Sequence, residues 1–223
     1  MEKEKLLQAL KEARSSKKRK FKQTVDLIIN LKGIDIKKES GKISTFFALP
    51  NGRGKNINVT ALVGKELSTK AKDACHKTIL LEDFKGIAKK EIKALVDESD
   101  YFIAQANIMP QVAATFGRVL GPRGLMPNPK AGCILAPTEE VKPEVERLQS
   151  TVKIETKNEP TIKVPIGTED MKDEEIAENA MAVYNNVLQL LPQEKANIKS
   201  ILIKLTMGKP VIAYSETASK RDK

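Results

Sequence analysis

The chain has 223 residues, with 39 Lys+Arg against 29 Asp+Glu and one His, a formal net charge of +10, 40% hydrophobic and 30% charged side chains. That length builds one large domain or two small ones, each with its own core, and the composition excludes a collagen-like or wholly disordered chain. No apolar run approaches the roughly 18–20 residues of a membrane span, Cys75 and Cys133 lie in no zinc-type spacing, and the charged start leads into no signal region, so a cytoplasmic protein with reduced thiols and no membrane partner is expected.

Residues 2–12 place Leu6, Leu7 and Leu10 at helical spacing. Next comes Arg14-Ser-Ser-Lys-Lys-Arg-Lys-Phe-Lys22, six cations and no acid beside one aromatic ring. Such a run attracts polyanions; a solvated charge run or a localisation signal is the other reading. Residues 1–52 carry 13 basic and 6 acidic side chains, residues 53–150 carry 15 and 12, and residues 151–223 carry 11 and 11, so the excess sits at the amino end. Val25–Leu31 reads as a strand ended by Gly33, and Ile43–Leu49 as a second strand running into the turn Pro50-Asn-Gly-Arg-Gly54.

From Ile57 to Ser150 short apolar strands alternate with helical stretches: Ile57–Val63, a helix near 67–74, Thr78–Leu81, a helix near 84–96, then Tyr101–Ala104. This is the signature of βαβ units around a parallel sheet. Strand patterns return at Thr151–Glu155 and Thr161–Pro165, which read as a hairpin about Asn158-Glu-Pro160. A helix over 173–191 and a final strand Ser200–Leu205 follow. Glu169, Asp170, Asp173, Glu174, Glu175 and Glu178 crowd the start of that helix, where carboxylates suit the dipole; a metal site is the lesser alternative. The pattern implies an α/β unit inserted into an α+β domain, with crossings near residues 53 and 150.

The stretch from Met109 to Gly132 holds four glycines, four prolines, Arg118, Arg123 and Lys130, with no acid between Asp100 and Glu139. A phosphate-binding loop is one reading and a rigid capping loop another; it is neither a Walker loop nor GxGxxG after a strand. As a specific string, Gly117-Arg-Val-Leu-Gly-Pro-Arg-Gly-Leu-Met-Pro-Asn-Pro-Lys-Ala-Gly132 resembles the signature of the ribosomal protein L-one family, the stalk proteins of the large subunit. Arg19-Lys-Phe-Lys-Gln-Thr-Val-Asp-Leu27 is similar to that family's RNA-binding segment, Leu49–Lys55 to its interdomain crossing, and Thr206-Met-Gly208 to its near-terminal motif. The wording is nearest to archaeal members.

The resemblance implies α+β and α/β architecture in two domains. Residues 1–52 and 151–223 form a discontinuous split β-α-β (ferredoxin-like) RNA-binding domain, and residues 53–150 an inserted Rossmann-like α/β/α sandwich. It also implies direct binding of large-subunit rRNA, help in releasing deacylated tRNA from the exit site, and repression of translation through the protein's own mRNA leader, by a monomer when free. Motif by motif, the RNA contacts fall on Glu12, Lys20, Phe21, Thr24, Ser200, Thr206, Met207 and Gly208. Lys20 suits a phosphate, the hydroxyls suit 2′-OH groups and Gly208 a close backbone approach; Phe21 has core filling as its alternative. Arg118, Arg123, Asn128 and Lys130 make a secondary RNA contact or an interdomain loop, while bacterial relatives tend to have a basic residue where this chain has Glu155. No cofactor, metal or catalytic residue is expected. The competing reading is a nucleotide-binding enzyme using the Rossmann-like region, which rests on fold analogy alone; His76 beside Cys75 makes a poor nucleophile–base pair.

Overall fold

The computed structural model describes residues 3–15, 19–35 and 41–216. Glu2, Lys17 and Lys18 of the segments above lie outside the described residues. The chain is mixed α and β, with one four-stranded sheet antiparallel and another parallel, and it divides into two compact units, Met1–Lys55 with Ser150–Lys223, and Asn56–Gln149.

In the first unit, α1 (Lys3–Arg14) is followed by β1 (Thr24–Leu31) and β2 (Ser44–Ala48). In the second, β3 (Val59–Val63), α2 (Ser68–Ala74), β4 (Lys77–Leu80), α3 (Lys89–Glu98), β5 (Tyr101–Gln105), α4 (Met109–Arg123), β6 (Ile134–Leu135) and α5 (Val141–Ser150) follow in turn. The chain returns to the first unit through β7 (Thr151–Glu155), β8 (Thr161–Thr168), α6 (Asp173–Leu190), β9 (Ile198–Leu205) and β10 (Val211–Ser215).

Strict alternation in β1 turns Val25, Leu27, Ile29 and Leu31 inward and Thr24, Asp26, Ile28 and Asn30 outward. The sheet order is β10-β9-β1-β8, antiparallel throughout, so β8 and β9, joined through α6, lie on either side of β1. Leu6, Ala9 and Leu10 of α1 and Ile176, Ala180, Val183 and Val187 of α6 share one core with the inward face of the sheet. That leaves the outward face free of helices from this core. A two-stranded ribbon of β2 and β7 adds Val152 and Ile154 to the same core. Asn179 is buried in it: its Nδ2 donates to the carbonyls of Gly52 (2.9 Å) and Ile166 (2.8 Å), and its Oδ1 accepts the Asn51 N–H at 3.0 Å. One side chain thus locks the 50–54 turn, whose Gly52 and Gly54 sit at φ 65° and 69°, onto α6 and β8.

The second unit has a parallel sheet in the order β4-β3-β5-β6. Every residue of β3 is buried, as expected of a central parallel strand. Leu62 and Phe102 pack with Ile92, Leu95 and Val96 of α3 and with Val112, Phe116 and Leu120 of α4, and Phe84 meets Phe116 edge-on at 5.0 Å.

The structure corrects the sequence reading at four places. Thr151–Glu155 and Thr161–Pro165 are not a hairpin: β7 pairs with β2 and β8 with β1, leaving one bridge, Thr156 with Ile162, between them. Residues 109–123 of the glycine- and proline-rich stretch are a helix, not a loop. Pro110 stands in the first turn, where a missing N–H is no loss, Val112, Phe116 and Leu120 make its buried face, and Gly124 ends it at φ 69°. The helix near 84–96 begins only at Lys89, after a 3₁₀ turn over Leu81–Lys85. Helix α5 and strands β6 and β10 were not anticipated, and the last strand is β10 rather than β9.

Two outcomes are expected. Replacing Asn179 by Leu leaves two carbonyls and an N–H without their partner, at about 1–3 kcal/mol for each buried group, so urea denaturation is expected to show a loss of about 3 kcal/mol. Burial pushes the Cys133 thiol up from its ordinary 9.0 to about 11. A raised folded pKa stabilises below the unfolded value and is lost as pH rises through the folded one. Wild type therefore loses stability relative to Cys133→Ala between those two pH values, which urea midpoints on either side of the window will measure.

Candidate nucleic-acid interface

At the carboxyl end of β9 the chain continues the ladder by one residue: the Thr206 N–H donates to the Thr24 carbonyl at 3.0 Å. This places the two hydroxyls together, Thr24 Oγ1 and Thr206 Oγ1 being 2.7 Å apart across 182 residues of sequence. Thr206 Oγ1 also accepts the Thr24 N–H at 3.1 Å and lies 3.2 Å from the Thr24 carbonyl. If the Thr206 proton goes to that carbonyl, Thr24 Oγ1 keeps free acceptor capacity; if it goes to Thr24 Oγ1, the Thr24 proton is free to donate. A pair that can offer either role suits a ribose 2′-OH, which is both donor and acceptor.

Exposed apolar residues stand near both members of the pair in sequence. Phe21 is 52% exposed and Met207 60% exposed, so Phe21 does not fill the core, and both can pack on a base or ribose. Gly208 closes the turn, its N–H donating to the Leu205 carbonyl at 2.8 Å. Lys20 and Glu12 are exposed, and Glu12 has no ion-pair partner among the described residues. Ser200 stands apart. It shares the outward face of the sheet, its Oγ accepting from Asn30 Nδ2 at 2.9 Å, but six residues of strand put it about 20 Å from Thr206, so no single nucleotide reaches both.

The basic run is less free than its composition suggests. Arg14 donates to the carbonyls of Glu169 and Met171, both at 2.6 Å, and its Nε lies 2.7 Å from Asp173 Oδ1 as an ion pair without hydrogen-bond geometry. Lys22 pairs with Asp170 at 2.6 Å, a hydrogen bond that raises its pKa. Glu178 is held below the usual carboxylate range by Asn51 and then Lys3. The acidic cluster is therefore a set of structural counter-charges, and among the described residues no group of acids, Cys or His could hold a metal. Arg19 and Lys20 remain as exposed cations next to Phe21. At residue 155, the burial that would raise Glu155 is outweighed by Lys153 and Lys157, which hold it low, so this position is neutralised rather than phosphate-seeking.

In the second unit, Arg118 and Lys130 are exposed, Arg123 pairs with Asp97, and Asn128 Oδ1 accepts the Lys130 N–H at 2.9 Å as the cap of the 3₁₀ turn Pro129–Ala131. The sheet's switch point lies at the carboxyl ends of β3 and β5, where open α/β sheets bind nucleotides. Here Gln105 fills it: its Oε1 accepts the Gly64 N–H at 2.9 Å and its Nε2 donates to Glu66 Oε2 at 3.0 Å. The amide that would meet a phosphate is already used, and a carboxylate stands beside it. His76 is exposed, and burial pushes Cys75 up to about 11, so neither residue is set up for nucleophilic chemistry.

Sequence reasoning did not single out Gln23, which the structure places beneath the turn at Met207. The signal was present: the period of Val25, Leu27 and Ile29, carried back by two, points residue 23 inward.

Residues 10–209 match the ribosomal protein L1p/L10e family. The large ribosomal subunit protein uL1 of Nanoarchaeum equitans is 45% identical over 206 residues, 91% of this chain and 96% of the relative. The uL1 proteins of Methanothermococcus thermolithotrophicus and Methanocaldococcus jannaschii are 41% and 38% identical, covering 94% and 99% of this chain and 98% and 100% of their own lengths.

Proposed function

Because the chain belongs to the ribosomal protein L1p/L10e family, and is a large-subunit ribosomal protein rather than an enzyme, we propose that it binds large-subunit rRNA directly to form the mobile stalk of the subunit. The observation that carries this reading is the Thr24–Thr206 hydroxyl pair, drawn from opposite ends of the chain, with exposed Phe21 and Met207 close to its two members in sequence. The hydroxyls read 2′-OH groups, Phe21 and Met207 pack on a base or sugar, Lys20 neutralises phosphate, Gly208 admits the backbone, and Glu12 accepts from a base amino group or a ribose. Ser200 serves a second stretch of RNA further along the same face. Arg118 and Lys130 are the better placed of the secondary contacts, since Arg123 and Asn128 already have partners inside the protein.

In this reading residues 1–52 and 151–223 are a split β-α-β, ferredoxin-like RNA-binding domain, supported by β8 and β9 flanking β1 through α6. Residues 53–150 are an inserted Rossmann-like domain. The stalk so formed assists release of deacylated tRNA from the exit site, and the same face represses translation by binding the protein's own mRNA leader. The protein acts in the cytoplasm and is a monomer off the ribosome.

Binding of the intact protein to a large-subunit rRNA stalk fragment is expected to exceed binding to a scrambled hairpin of equal length by roughly a thousandfold. The log–log salt slope should gain about 0.7–0.9 for each phosphate contacted. Thr206→Val should weaken the fragment by about tenfold or more, through the lost hydroxyl, without changing that slope, whereas Thr206→Ser should bind like wild type. Equal, salt-sensitive binding to both RNAs would mean that charge alone explains the affinity and would overturn the proposal.

A further inference from the structure

We propose that Gln23 is a positioning residue that holds the RNA-facing turn Thr206–Gly208 in its binding conformation, with Arg14 bracing Gln23 from behind. The inference rests on the RNA-binding reading above. Three consecutive amides define the turn. Thr206 N–H is held by the Thr24 carbonyl at 3.0 Å and Gly208 N–H by the Leu205 carbonyl at 2.8 Å. Met207 N–H is held by a side chain, Gln23 Oε1, at 3.1 Å.

Gln23 is 2% exposed although its neighbours Phe21 and Lys22 face solvent. Burying a primary amide is costly unless its polar atoms are used, and an apolar side chain would fill the same space at less cost. The acceptor oxygen is what this position gains. The backbone around it is anchored in turn: the Gln23 carbonyl accepts the Glu169 N–H at 2.9 Å, and its own N–H reaches Glu169 Oε2 at 3.4 Å. Arg14 then clamps that loop through the carbonyls of Glu169 and Met171, both at 2.6 Å. A continuous chain of bonds therefore runs from the end of α1, through the loop before α6, to the amide of Met207.

The consequence is preorganisation. Met207 exposes its thioether on a turn whose every amide is already held, so the turn is not ordered at the expense of binding. Loss of the Gln23 oxygen would free the middle amide alone and would show chiefly in the dissociation rate.

The test compares full-length wild type, Gln23→Met, Gln23→Glu and Thr206→Val for dissociation from the rRNA stalk fragment, for hydrogen exchange at Met207 and for global stability in urea. Methionine matches the length of glutamine but offers only a weakly accepting thioether in place of the carbonyl oxygen, and glutamate restores an acceptor oxygen. Gln23→Met is expected to speed both Met207 exchange and RNA dissociation by about tenfold at an unchanged salt slope. Gln23→Glu is expected to recover both at the acid end of the binding range, where the buried carboxyl is neutral and keeps its acceptor oxygen, since salt screens a charge at this buried position little. A wild-type dissociation rate in Gln23→Met beside a weakened Thr206→Val overturns the positioning role and leaves the RNA site standing. A Gln23→Met defect that follows the fraction unfolded, and that glutamate does not recover, also overturns it. Wild-type binding by both Gln23→Met and Thr206→Val removes the RNA site itself, and the inference with it.

Discussion

Strand β1 can be satisfied only by the far end of the chain. Its two hydrogen-bonding edges are filled by β8 and β9, so the amino-terminal strand waits on segments that follow the entire second unit in sequence. Once β8 and β9 are in place, α6, which joins them, must lie over the inward face, and with α1 it closes the core around Leu27, Ile29, Ile162 and Ile201. The hydroxyl pair is a product of that closure. Thr24 and Thr206 meet because the β1–β9 ladder runs one residue past the end of β9, not because either residue carries a local signal.

The same closure explains how a strongly cationic chain keeps a polar site in order. The acids of residues 169–178 face the amino-terminal cations and take up Arg14, Lys22 and Lys3 one by one. These pairs are partly or largely exposed, so their value lies in geometry more than in energy. Arg14, the most enclosed of the three, spends its guanidinium on two backbone carbonyls and so converts a charge into a fixed loop. In the proposed RNA-binding role, long-range attraction to a polyanion then falls to exposed cations such as Arg19 and Lys20, while selectivity depends on groups without charge. Gln105 does the corresponding work in the second unit, where it occupies the crevice that a nucleotide would need.

Much of the secondary structure was legible because burial imposes a period. The alternation in β1 and β7 and the 3.6-residue face of α6 appear in the sequence nearly as they appear in the fold. Residues 109–123 misled because glycine and proline argue locally for a loop, whereas Val112, Phe116 and Leu120 supply a buried stripe that overrides them. The apparent hairpin misled for a different reason. Two adjacent strands separated by a turn normally pair, yet all five residues of β7 pair with β2, and β8 pairs along β1. Strand β10 is short and follows Pro210, which hides it until β9 is there to receive it.

What the sequence by itself determined was therefore the part of the protein encoded in near neighbours. This includes the cationic amino end, the strands and helices with a clean period, and the motif strings, Gly117–Gly132 and Thr206–Gly208 among them, that carry the resemblance to the family. Tertiary structure alone decided which of those pieces touch. It placed Thr24 against Thr206, sent Ser200 some 20 Å away along the same strand, buried Gln23 beneath Met207 and committed Arg14 to a loop. The physical reason is that strand pairing and buried hydrogen bonds join residues more than a hundred positions apart, and no local periodicity records which partner a polar group will find.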